Sequence, residues 1–269
     1  MNPLLAKVKL PGRVFQLPSK GVFYLKGVLA ADVHEGEVQV KAMSALAEMK
    51  LRSADLLISA KVLNELCQEC IPEILQPDLL VAQDVDAIFA FLRVATYGST
   101  HRVNSIHGCE KAKVHTYEVD LESILSKPNN KIIEHHDTLY RVALSNGQIV
   151  HTKPNTYSEA MKVLYIQQEI AKKEALDEEV DDKLREKVAV MDLMCVIFAV
   201  EDNGEVIDDR EMVEEWLRAI TKPMLNEIVA SVSKTGKWGY DFSAKLKCKD
   251  CGETYDHELE LDPITFFFG

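Results

Sequence analysis

The sequence predicts an α+β protein built from two domains. Short β-prone runs punctuated by Pro and Gly fill the first forty residues. Apolar residues then recur at helical spacing from Met43 onward, and an Asn-Gly pair stands between two strand-like runs at residues 146 and 147. A first domain, residues 1–152, is expected to combine helices with hairpins. A second, residues 153–269, is expected to be helical and closed by a zinc-knuckle-like β hairpin. With 269 residues and 47% apolar content, the chain can bury a real core, which excludes wholesale disorder.

Taken in order, Val8 to Leu10, Val14 to Leu17 and Val22 to Tyr24 read as short extended segments, separated by Pro11-Gly12 and Pro18-Ser19-Lys20-Gly21. Met43 to Leu51 favours helix. A second helix from about Ser59 carries Val62, Leu66 and Cys70 on one face and stops at Pro72. In the third, Asp84 can cap, Val85, Ile88, Phe89, Leu92 and Ala95 form one stripe, and Gly98 ends the run, so a core helix is expected. Arg102 to Leu121 alternates as a hairpin or small sheet, and Tyr140 to Leu144 pairs with Ile149 to His151 around the Asn-Gly turn.

Helix is expected again from Ser158 to about Val200, with Leu176, Val180, Leu184 and Val188 as its apolar stripe. Glu179–Lys183 and Asp181–Arg185 supply ion pairs one turn apart. A solvated amphipathic helix is the plainer reading of this charged stretch, a partner-binding helix the other. Asp202-Asn203-Gly204 breaks the run as a turn, because it lacks the alternating acidic oxygens of a calcium loop. Glu211 to Ala219 and Pro223 to Val232 make two more helices, and Gly236 to Gly239 opens a terminal β segment.

Charge narrows the function. Against 31 Lys and Arg stand 43 Asp and Glu, a formal charge of −12, and no basic cluster offers the footprint a phosphate backbone needs. Lys245, Lys247 and Lys249 are a local reversal, followed at once by acidic residues. The longest apolar run, Leu193 to Val200, is eight residues, whereas a membrane-spanning helix needs roughly 18 or more. The N-terminal stretch lacks the pattern of a signal peptide, so a reducing cytoplasm is the expected compartment. GxSxG, Walker A and GxGxxG motifs are all missing. His135-His136-Asp137 invites a metal-dependent hydrolase, but adjacent histidines on a strand point to opposite faces and no HExxH accompanies them. No enzymatic activity is therefore expected.

Six cysteines in a reducing compartment raise metal binding before disulfides. Cys248-Lys249-Asp250-Cys251-Gly252 lies between strand-like segments, the arrangement in which a tight turn aims two thiolates at one Zn²⁺. Cys67 and Cys70 have the same spacing but end a helix, where the dipole disfavours thiolates, and read as packing residues. A shift of 140 residues lays Ile106 on Leu246, Val119 on Leu259 and Leu121 on Leu261, and brings His107 and Cys109 beside Cys248. Cys248, Cys251, Cys109 and His107 could thus complete one tetrahedral structural zinc site. Chance similarity of two amphipathic hairpins is the competing explanation.

Leu17 to Tyr24, Cys70-Ile71, Leu92 to Gly98, Tyr117 to Leu121, the Cys248 to Gly252 knuckle and the tail from Asp262 to Phe267 occur in an order that resembles the T-even-type bacteriophage baseplate hub family. In that family the segment after the Tyr-Gly often holds its own Cys-x-x-Cys-Gly; here Cys109 stands alone. The resemblance implies a hub component or hub assembly factor of a contractile tail. Such a protein would be a scaffold or chaperone without catalysis, assembled in the host cytoplasm and placed in the virion baseplate. Its partners would be other baseplate or hub proteins and the tape-measure protein, not nucleic acid or membrane. The Phe266, Phe267 and Phe268 terminus is a candidate partner contact, with core packing as the alternative. A zinc-ribbon adaptor for nucleic acid is the rival from another class.

Overall fold

The computed structural model describes residues 12–51, 61–109, 113–129, 140–176, 179–235, 238–261 and 266–267. The chain divides into two compact units: Met1–Pro77 with Gln83–Asn129 and Gly239–Gly269, and Asp78–Ala82 with Asn130–Trp238. This division differs from a cut at residue 152. The closing hairpin belongs by its contacts to the first unit, where Asn129 and Gly239 bridge, and the Asn-Gly hairpin belongs to the second, where it pairs with a later strand. Among the described residues no helix is long and apolar enough to cross a membrane.

The first unit opens with β1 (Arg13–Gln16) antiparallel to β2 (Glu37–Val40), followed by α1 (Ala45–Leu51) and α2 (Lys61–Cys70). Its central element is α3 (Ala82–Tyr97), which buries an unbroken run from Ala87 to Val94. The expected stripe is therefore only part of its buried surface; a helix packed on most sides needs apolar or small residues all round. Phe91 stacks on Phe15 with ring centroids 4.5 Å apart, and Tyr240 meets Phe91 edge-on at 5.9 Å. Gly98, at φ +86°, ends α3 and donates its N–H to the Val94 carbonyl, as the sequence predicts.

Asp84 does not cap this helix. The helix starts two residues earlier, and the Asp84 carboxylate, fully buried in the first turn, receives the Ser19 N–H at 2.9 Å, the Ser19 hydroxyl and the Tyr24 hydroxyl at 2.5 Å. Burial is the largest influence on its pKa, pushing it up to about 6 against the lowering effect of those donors. Val22 to Tyr24 is accordingly no strand but a succession of turns that delivers Tyr24 to this carboxylate. The expected strand at Val8 to Leu10 lies outside the described residues.

Two hairpins complete the unit. β3 (Thr100–Ile106) pairs antiparallel with β4 (Val114–Asp120), and β9 (Ser243–Lys247) with β10 (Thr254–Glu258). Asp120 also caps the short α4 (Leu121–Leu125), accepting from the Glu122 N–H at 3.1 Å. β3 buries His101, Val103 and Ser105 and exposes the residues between them, the alternation of a strand covered on one face.

The second unit is an antiparallel sheet in the order β5 (Arg141–Ala143), β6 (Ile149–Thr152), β7 (Ile197–Asp202), β8 (Glu205–Ile207). It also contains α5 (Tyr157–Ala175), α6 (Asp182–Val196), α7 (Arg210–Ala219) and α8 (Lys222–Thr235). Val142, Val150, Ile197, Val200, Val213, Leu217 and Ile228 belong to one core, with Trp216 and Met224 packed against it. The single helix expected to reach Val200 is three elements. Asp181 caps α6 instead of pairing within a helix, and Arg185 reaches back to Glu174 at 2.7 Å. The apolar run from Leu193 changes at Ile197 from helix to strand, because its second half completes the sheet between β6 and β8. A short apolar run fits a buried helix or a buried strand equally well, and pairing decides between them. The β7–β8 turn at Asn203-Gly204, with φ of 51° and 84°, is the turn expected there.

Candidate metal centre

The two hairpins of the first unit follow the 140-residue shift only in part: β10 falls on residues 114–118 with the same alternation as β4, but on the first strands the shift lays exposed Ile106 on buried Leu246, because the two ladders differ in register by one residue. Each presents donors just past its first strand. On one, His107 and Cys109 follow β3, and the Cys109 N–H donates to the His107 carbonyl at 2.8 Å. On the other, Cys248 follows β9. The Cys248 N–H donates to the Glu253 carbonyl at 2.8 Å and the Gly252 N–H to the Cys248 carbonyl at 3.0 Å. Gly252 sits at φ +82° with open space around its α-carbon, so the backbone angle, not crowding, calls for glycine there.

His107, Cys109, Cys248 and Cys251 converge, with their ligand atoms all within 4.8 Å of one another. The Cys109 and Cys248 sulfurs are 4.0 Å apart, and Cys251 Sγ lies 3.4 Å from His107 Nδ1. Tetrahedral zinc with bonds of roughly 2.3 Å to sulfur and 2.0 Å to nitrogen needs S···S edges of about 3.8 Å and S···N edges of about 3.5 Å. The donor set fits that geometry and could hold a metal. Cys248 is buried, His107 and Cys109 are half-buried, and Cys251 is exposed. The Cys251 backbone N–H, and after it that of Asp250, hold the Cys248 thiol down at about 6 against the opposing effect of burial, so a ligand thiolate is available near neutral pH.

Beneath the donors the hairpins meet through a polar and aromatic layer. The His107 ring stacks on Tyr255 with centroids 4.7 Å apart. The Tyr255 hydroxyl donates to Ser105 Oγ at 3.0 Å, and Ser105 Oγ lies 3.1 Å from His257 Nδ1. None of these supporting residues is singled out by motif reading. Their signal is only the alternation that turns Ser105 and Tyr117 inward on one hairpin and Tyr255 and His257 inward on the other.

The other expected site residues fall elsewhere. Cys67 and Cys70 are fully buried, and burial, followed by the charge of Glu69, pushes the Cys70 thiol up to about 12; both are packing residues, as their helix-end position predicts. Phe266 and Phe267 are also buried, Phe266 against the His101 ring at 4.8 Å and Phe267 edge-on to Phe89 at 6.3 Å. Of the two readings of this terminus, partner contact and core packing, these two rings fit core packing, since apolar surface is removed from water by closing the core beside α3. Phe268, His135, His136 and Asp137 lie outside the described residues.

The model of the T4 bacteriophage base plate protein family matches residues 32–269, nearly the whole chain, and the chain belongs to that family. It matches no curated protein and no solved structure. A role in a T4-type baseplate among other baseplate proteins follows from that membership.

Proposed function

We propose that the protein is a hub component or hub assembly factor of the contractile tail, acting by contact with other proteins and without enzymatic activity, and that zinc at the Cys₃His cluster is part of its scaffold. The observation that carries this reading is the closure of the donor set. Three sulfurs and one imidazole nitrogen supply all four positions of a tetrahedral site. A zinc that activates water keeps one position open, whereas one held by four side chains ties chain segments together. Here the segments are two hairpins whose donors lie about 140 residues apart in sequence, so the metal would staple the closing hairpin to the middle of the chain.

Protein partners suit this surface better than nucleic acid. The formal charge is −12, and of the three lysines around the knuckle, Lys249 is engaged with Thr116 and Tyr117 inside the unit. The proposed partners are other hub and baseplate proteins and the tape-measure protein, met in the host cytoplasm during assembly. Affinity purification from infected cells at successive stages of tail assembly, with elemental analysis of the same samples, tests the reading. Recovery with hub intermediates and close to one zinc per chain is the expected result. Retention in finished baseplates would mark a component and loss before completion an assembly factor. Absence from every intermediate would overturn the function, and absence of zinc the metal assignment alone.

A further inference from the structure

The spacer positions of a Cys-x-x-Cys turn commonly do no more than set the bend, yet here both reach across to the other hairpin. Lys249 Nζ donates to the Thr116 carbonyl at 2.7 Å and lies 5.0 Å over the Tyr117 ring. Asp250 Oδ2 is 2.8 Å from His115 Nε2, in a pair whose side chains are only 25% and 14% exposed for His115 and Asp250. His115, Thr116 and Tyr117 are consecutive on β4, and in the ladder His115 stands opposite Ser105 and Tyr117 opposite Val103, just below the His107–Cys109 turn.

We infer that His115, Lys249 and Asp250 form a positioning clamp that seats the Cys248–Cys251 turn against the His107–Cys109 turn, so that the four donors converge before any metal is bound. The inference rests on the metal reading above and deepens it. None of the three residues is a ligand. They act on the backbone that carries the ligands, and they do so through groups that the metal does not use. The Cys248 sulfur depends on this placement, since the amides of Asp250 and Cys251 that donate to it belong to the same clamped turn. A binding site ordered in advance loses less conformational freedom when its ligand arrives. Removing outer partners of metal ligands typically weakens metal binding by about 10- to 100-fold.

The test uses the full chain stripped of metal and titrated with Co²⁺, followed by Zn²⁺ in competition with a chelator. His115→Ala and Lys249→Ala should each weaken zinc binding by about tenfold, while the saturated Co²⁺ spectrum keeps the bands of a three-sulfur, one-nitrogen site. His115→Gln, which retains a donor toward Asp250, should bind close to the unaltered chain. A residue that merely stabilised the unit would lower the melting temperature of metal-free and metal-loaded protein equally and leave the affinity unchanged. That outcome in both alanine variants would overturn the clamp while leaving the metal site standing. Lys249 is exposed, so its variant carries the test by itself should His115→Ala fail to fold. Failure of the unaltered chain to take up either ion would remove the metal reading and the clamp with it.

Discussion

Asp84 and His101 sit on neighbouring elements of the first unit and titrate in opposite senses. Asp84 is raised to about 6 by burial, so the folded state binds a proton more readily than the unfolded chain, where aspartate titrates at about 4. Its contribution is fully present below pH ~4 and is lost as pH rises through about 6. His101 is lowered to about 4, first by burial and then by the adjacent Arg93 charge, whose Nε donates to His101 Nδ1 at 3.2 Å. Its contribution is present above the unfolded value of about 6.5 and is lost as pH falls toward 4. The two slopes overlap and offset each other. Asp84→Asn should therefore steepen the rise of stability with pH between about 4 and 6. His101→Gln should reverse the sign of that change, each by on the order of 2 to 3 kcal/mol across the window. Urea unfolding at half-unit pH steps measures both, and parallel profiles for the two variants and the unaltered protein would contradict the assignment.

At the scale of elements, the loop between β1 and β2 and the start of α5 illustrate two kinds of local requirement. Gly36 has φ +71°, and a β-carbon there would lie 2.9 Å from the Lys20 α-carbon and 3.0 Å from its carbonyl carbon, both backbone atoms that cannot swing aside. Gly36→Ala is expected to cost about 2 kcal/mol or more, with a lower melting temperature and loss of the Leu17 N–H to Gly36 carbonyl bond seen as faster amide exchange at Leu17. For α5, Thr156 accepts from the Glu159 N–H at 3.3 Å while the Glu159 carboxylate accepts from the Thr156 N–H at 2.9 Å, with Lys153 Nζ also on that carboxylate. Thr156→Ala should cost about 1 kcal/mol, read as a shift in denaturant midpoint at unchanged slope. Most elements are legible from their residues because such requirements are local: Gly98 ends α3, Asn203-Gly204 turns β7 into β8, and Asn146-Gly147 turns β5 into β6. The stretch from Leu176 to Val200 is not legible in the same way. Its spacing suits one long helix, and two things decide against it: Asp181 caps a new helix after α5 ends at Ala175, and Ile197 to Asp202 pairs with two other strands.

Across the whole molecule, both tryptophans, Trp216 and Trp238, lie in the second unit, while the cysteine and histidine donors lie in the first. A structural metal contributes directly to the stability of the unit it binds. With zinc at the proposed site, chelation should therefore lower the calorimetric transition of the first unit and leave the transition detected by tryptophan fluorescence in place. Equal displacement of both signals would show that the metal does not act on the first unit alone. Truncating Phe266 to alanine tests the core placement of the tail in the same way: a loss of about 3 to 5 kcal/mol is expected in the first unit, with reduced solubility and no selective loss of partner binding.

By itself the sequence determined the α+β class, most helices and hairpins, the acidic surface and the four residues that meet at the candidate metal centre, because capping, turn chemistry, periodicity and donor type are properties of neighbouring residues. The convergence of His107 and Cys109 with Cys248 and Cys251 was foreshadowed only by a faint repeat. Tertiary structure decided which unit owns the closing hairpin, that Phe266 and Phe267 are buried, that Asp84 serves a loop instead of a helix end, and that Lys249 and Asp250 grip β4. Each of these depends on which surfaces meet, and segments 60 or more residues apart meet through the folded backbone, which no local pattern encodes.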